Sequence, residues 1–282
     1  MKTKGKLKEK QGISLIVLVI TIIVIIILAV AVILSIANNT PVSNANKAKF
    51  QNDVKSIQEE INLYDASQYA KNQGNYSALS TGGDDMKSKL SSVSDSYKDK
   101  VFVVEGKLYL NSDKASQDEK NWADELGIKR STEGFTYSAD GKIISKYEGN
   151  ATEIIIPYGV EQIGETDKTE YPIFLNNTNI VSVVLPDGLK KIDIASFSGC
   201  NGITRMVLPK TITELGAGFL SSTNLKELIM YKSMFSDNGI FSTSKSGGAP
   251  DSMWYEIEPG YYYMTASRSL SSSMYSVIKL ID

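Results

Sequence analysis

The residues able to do chemistry are few. The chain of 282 residues has one cysteine, Cys200, and no histidine. That composition excludes an internal disulfide, a His/Cys metal site, and any histidine-based acid–base pair or triad. Carboxylates remain. Glu59–Glu60 and Asp84–Asp85 are adjacent pairs. Neighbours on a helix point different ways, and paired charges in a loop are solvated, so neither pair converges on one substrate atom. The sequence holds no nucleophile elbow, phosphate-binding loop or metal-ligand spacing. It reads as non-enzymatic, with no cofactor.

Charge narrows the partners. The first twelve residues carry five lysines against one glutamate, a net +4; the chain totals −2, so the remainder carries −6. A mildly acidic body without a basic stripe argues against nucleic acid.

Residues 13–37 form an uncharged run of 25 residues whose only polar members are Ser14, Thr21 and Ser35. As a helix rising 1.5 Å per residue it is ~37 Å long, enough for a ~30 Å hydrocarbon layer. A secretory core is shorter, ~7–15 residues, and ends at a small-residue cleavage site. Lysines 2, 4, 6, 8 and 10 precede the run, and the first positive charge after it is Lys47. The lysine asymmetry predicts a single pass through the cell membrane, with residues 1–12 in the cytoplasm and the C-terminal part outside.

The basic head ending in Gly12, followed by Ile13-Ser14-Leu15-Ile16 and the apolar run, resembles the N-terminus of type IV pilin-like proteins over roughly residues 5–40. The resemblance implies cleavage after Gly12 by a prepilin peptidase, methylation of the new Ile13 amine, and assembly with other pilin-like subunits in a type IV pilus or a type II secretion pseudopilus. One position departs from it: the fifth mature residue, a glutamate in most pilins, is Val17. An uncleaved anchor is the other reading of the same segment.

Beyond Pro41, which marks a kink or a stop, Phe50, Val54, Ile57, Ile61 and Tyr64 recur as one helical stripe. The stripe serves either packing against the chain's own body or packing against neighbouring subunits. In residues 73–150, Val101–Leu110 predicts a hairpin turning at Glu105-Gly106, Asp118–Gly127 a short helix, and Phe135–Tyr147 a hairpin at Asp140-Gly141.

Residues 151–235 repeat. Pro157, Pro186 and Pro209 head equivalent segments, each followed at the sixth residue by Ile163, Ile192 or Leu215, and then by Phe174, Phe197 or Phe219. A period of 22–23 residues, with an insertion around Glu165–Tyr171, is that of a leucine-rich-repeat solenoid, whose coils must stack to bury their apolar faces. The pattern resembles the surface-antigen subclass of these repeats from bacterial cell-surface proteins. Cys200 takes a position held by Asn177 and Ser222 in the other units and reads as a small buried residue. Residues 236–252 read as a loop. WYEIEPGYYYMTAS and SSMYSVIKLID read as two strand-like runs of a cap or of a separate lobe, with Tyr261–Tyr263 alternating in a strand in preference to forming an exposed recognition cluster.

The sum predicts an α+β chain: basic leader 1–12, transmembrane helix 13–37, helical extension 38–72, small pilin-like head 73–150, repeats 151–235 and a β-rich cap 236–282. The expected function is surface display of the repeats, by a minor pilin or pseudopilin, for adhesion or protein–protein contact with a host, matrix or cell-surface ligand. The alternative is a membrane-anchored adhesin that does not assemble.

Overall fold

The computed structural model describes residues 20, 22–28, 41–73, 76–165, 172–216, 218–231, 234, 253–258, 261–265 and 275–281. They fall in two units, Met1–Phe50 and Gln51–Asp282. In the first, residues 22–28 are helical, and their Ile, Val and Leu side chains are each 46–64% exposed. Among the described residues no helix is long and apolar enough to cross a membrane. Most of the span expected at 13–37 lies outside the described residues, as do Gly12, Ile13 and Val17.

Helix α1 (Pro41–Lys71) opens on a proline, which suits the first helical position because its missing N–H has no intrahelical partner there. Its expected stripe is the buried face: Phe50, Val54, Ile57 and Ile61 are at most 2% exposed, whereas Leu63 and Tyr69 beyond the stripe are 71% and 59% exposed.

The head of the second unit follows. Strand β1 (Thr81–Gly82), helix α2 (Gly83–Lys89) and strands β2 (Val101–Val104) and β3 (Lys107–Leu110) give an antiparallel sheet in the order β1-β2-β3. The β2–β3 turn falls at Glu105-Gly106 as expected. Both residues have positive φ, 49° and 73°, the conformation a two-residue hairpin favours. Helix α3 (Gln117–Glu125) starts one residue before the expected helix because Ser116 and Glu119 form a reciprocal capping box. It ends before Gly127, which sits at φ 71°.

The repeats build a solenoid with two parallel ladders. One joins β5 (Ile143–Tyr147), β7 (Gln162–Ile163), β9 (Lys191–Ile192) and β11 (Glu214–Leu215), aligning Ile144, Ile163, Ile192 and Leu215 in register. On the other side, β6 (Glu153–Ile155) pairs with β8 (Ser182–Val184), and β10 (Arg205–Val207) with β12 (Glu227–Tyr231). The hairpin of β4 (Phe135–Tyr137) and β5, placed with the head on sequence grounds, is paired into the first ladder through β7. Its aromatics close one end of the core. Phe135 and Tyr147 pack on Phe174 at 6.4 and 5.3 Å, and Phe174 stacks on Phe197 at 4.9 Å.

At the other end, β13 (Met253–Glu258), β14 (Tyr261–Thr265) and β15 (Tyr275–Ile281) extend the second ladder in the order β10-β12-β15-β14-β13. The run WYEIEPGYYYMTAS is thus two strands rather than one. Its Pro-Gly pair is a turn signal, and proline has no N–H to give a ladder.

Candidate functional site

Three of the four paired carboxylates are committed to structure, and Glu59 is exposed. Glu60 accepts from the backbone N–H and the hydroxyl of both Ser91 and Ser92, at 2.5–2.8 Å. Burial pushes this carboxyl up, but the serine donors outweigh it and hold its pKa at about 2. Asp84 pairs with Lys98 at 2.7 Å, and Asp85 accepts from Thr81 and Lys89, both at 2.6 Å. Among the described residues no group of three His, Cys, Asp or Glu could hold a metal ion.

The residues marked by the repeat are placed inside the solenoid. Pro157, Pro186 and Pro209 are buried, each just past a ladder strand. Ile156 and Leu208 give the last ladder N–H bonds, to Val184 and Ile229, and the prolines that follow have none to give. Each proline carbonyl then accepts from the residue three ahead, Val160, Leu189 or Ile212. Phe174, Phe197 and Phe219 are 1%, 0% and 7% exposed. The Cys200 thiol donates to the Phe174 carbonyl of the preceding coil at 3.0 Å, and burial raises its pKa to about 11. A buried, protonated thiol is a poor nucleophile.

One face of the solenoid is covered by the head. Phe102, Val104 and Tyr109 of the β2–β3 hairpin cluster with Ile155 of β6, with Val184 of β8 and Tyr158 packed against them. The Tyr158 ring lies so close to Gly82 that a Cβ there would sit 2.5 Å from it. Arg205 bridges Glu105 of the hairpin turn and Glu227 of β12, at 3.1 and 3.0 Å. The sequence reading missed this docking; the clue was the unbroken apolar run VFVV, buried on both faces of β2. The surface by the other ladder carries ion pairs instead. Glu161 meets Lys142 and Lys190 at 2.7 and 2.6 Å, and Lys191 meets Glu214 at 2.7 Å.

Where the head meets the second ladder, a loop frames two adjoining cavities. The α1 residue Asp65 holds the loop by accepting from the Tyr76 hydroxyl and the Leu79 N–H, both at 2.9 Å. The cavities, of about 420 and 210 Å³, share Tyr76, Ser77, Ala78, Ser80, Asp187 and Tyr231. Asp187 is 7% exposed; its Oδ2 lies 3.2 Å from Lys210 Nζ, and its Oδ1 has no hydrogen-bond partner. Burial raises its pKa despite the opposing pull of Lys210.

Residues 146–244 match the BspA type leucine-rich repeat region in six copies. No curated protein sequence matches the chain. Among solved structures, a leucine-rich repeat protein from Bacteroides ovatus is 22% identical with a TM-score of 0.25, covering 39% of this chain and 31% of its own. The chain therefore spans about a third of that protein's length. A leucine-rich repeat protein of T. pallidum is 17% identical with a TM-score of 0.23, covering 39% of this chain and 76% of its own. The family match supports leucine-rich repeats in this region. This architecture suits protein–protein interaction or adhesion.

Proposed function

We propose that the chain is a non-enzymatic surface protein of the pilin-like kind, a minor pilin or pseudopilin. Its 13–37 segment serves as a membrane-spanning assembly helix, and its repeats are presented outside the cell for adhesion or protein contact. The observation that carries this reading is the coupling, in one chain, of a BspA-type repeat region to an uncharged 25-residue apolar run behind a +4 head ending in glycine. The exposed aliphatic side chains of residues 22–28 support it, because a helix that is apolar all round needs lipid or a partner around it. Prepilin peptidase and other pilin-like subunits are the partners this reading requires. Val17, standing where most pilins have glutamate, favours a second reading: an anchored adhesin with the same ectodomain and no assembly.

Intact mass of the protein extracted from its host membrane separates the two. A product beginning at Ile13, methylated or not, is expected. A chain still carrying the lysine head overturns processing and leaves the anchored adhesin.

A further inference from the structure

The joints between coils are not alike. Where the coil of β6 meets that of β8, the second ladder is paired, and just past its end Ile156 N–H donates to Val184 O at 3.0 Å. Where the coil of β10 meets that of β12 the pairing recurs, and Leu208 N–H donates to Ile229 O at 2.9 Å. Between these joints, β8 and β10 lie in separate sheets. Leu185 holds the place of Ile156 and Leu208 in its coil, yet among the described residues its N–H makes no such bond to Val207. The start of the strands differs in the same way. Ser182 and Glu227 donate back to Thr152 and Thr204, whereas Arg205 makes no such bond to Val181.

The same joint is bonded on its other sides. Strand β9 pairs with β11, Gly216 N–H donates to Ile192 O at 2.7 Å, and Phe197 N–H donates to Phe219 O at 2.8 Å. A joint bonded along two sides and unpaired along the third moves most easily by opening at the unpaired strands and turning about the bonded sides. Local opening is drawn from the least bonded part of a fold.

Side chains span the seam in place of ladder bonds. At one end the Thr211 hydroxyl accepts from Gly188 N–H and donates to Leu189 O, at 2.9 and 2.7 Å, beside the Lys210–Asp187 pair. At the other end Asn224 Nδ2 donates to Asn201 O at 2.8 Å. Along the strands the strap comes from the head. The β2–β3 hairpin clusters with Ile155 and Val184, so it is seated on the β6–β8 side. Its turn residue Glu105 reaches Arg205 of β10 at 3.1 Å. The second partner of Arg205, Glu227 of β12, lies on the same side of the seam as Arg205.

We propose that the joint between β8 and β10 is a hinge of the repeat region, opening on the second-ladder side, with the Arg205–Glu105 ion pair as its strap. Opening changes the angle between the coils before and after residue 204 without separating them. The strap is weak and salt-sensitive, because the Arg205 and Glu105 side chains are 48% and 45% exposed. This goes beyond surface display and does not depend on it, since every part of the hinge lies within residues 102–227.

The test is amide hydrogen exchange, read residue by residue on the detergent-solubilised full chain. In the wild type, Leu185 is expected to exchange roughly tenfold or more faster than Ile156 and Leu208. Glu105→Gln should speed Leu185 and Arg205 a further two- to fivefold or so, the scale of a half-exposed ion pair, and high salt should bring the wild type to the same rate. Glu227→Gln removes a pair that does not cross the seam and should not speed either amide. Gly216 and Phe197, on the bonded sides, should keep their wild-type rates in both variants. The proposal is overturned if Leu185 is as protected as Ile156 and Leu208, if the two variants act alike, or if Gly216 and Phe197 quicken together with Leu185.

Discussion

In the repeats, buried contacts run from one coil to the next: Phe174 on Phe197, Ile163 beside Ile192, the Cys200 thiol on the Phe174 carbonyl. In the head, each anchor reaches across unrelated sequence. Gln58 of α1 clamps the β2–β3 hairpin through Gly106 O and Leu108 N, at 3.2 and 3.1 Å, Glu60 holds Ser91 and Ser92, and Asp65 holds the 76–79 loop. The first region is a stack whose order passes from coil to coil. The second is a set of polar clasps on one helix. Loss of a core residue should therefore spread along the repeats, whereas loss of a clasp should free one segment of the head.

The largest expected effect breaks the stack. Phe197→Ala should cost about 3–5 kcal/mol, since Phe197 is fully buried and stacked on Phe174. Hydrogen exchange should show protection falling through the coils of residues 172–216 on both sides of the substitution, with α1 and the β2–β3 hairpin still protected. Loss confined to residue 197 and its immediate neighbours would count against a coupled stack.

A smaller effect opens one clasp. Glu60→Gln should lower stability by about 1–2 kcal/mol, discounted for the solvent around this partly exposed carboxylate, with exchange rising at Ser91 and Ser92. The pH dependence has a definite sign. The folded pKa, about 2, lies below the ordinary 4.5, so the stabilisation is complete above about pH 4.5 and is lost as pH falls from there towards 2. Acid titration of unfolding in wild type and Glu60→Gln should converge below that window. Curves that stay parallel through it would remove Glu60 from the account.

The smallest effect concerns the surface. Glu161→Gln removes both ion pairs to Lys142 and Lys190 and should change stability by under about 0.5 kcal/mol, less still in high salt. A change above 1 kcal/mol in urea unfolding would make this surface part of what holds the coils together.

The same contrast explains what the sequence could disclose. The repeats were legible because a coil's neighbours are its own near-copies: each of three prolines leads an aliphatic residue six positions on, and three phenylalanines recur 22–23 residues apart. The hairpin turns at Glu105-Gly106 and Asp140-Gly141 were legible because turn chemistry is local. The docking of Tyr158 on Gly82, and of Phe102 and Tyr109 on Ile155, depends on pairs with no sequence relation to one another, so no period announced it. The β4–β5 hairpin was legible as a hairpin but not as the first rung of a ladder, because its register with β7 lacks the proline that marks later coils. Asp187 follows Pro186 like any turn residue, and only the fold brings it to the 76–80 loop with one oxygen unpartnered.

The central claim is that the repeats stand outside the cell. Cys200 is buried, with its pKa raised to about 11, so the native chain has no reactive thiol to confuse a label. Lys226→Cys places one at an exposed position of the repeats. Intact cells of the native host expressing this variant would be treated with a membrane-impermeant maleimide. The account predicts full labelling of Lys226→Cys before lysis and none of the wild type; labelling that requires lysis would contradict it.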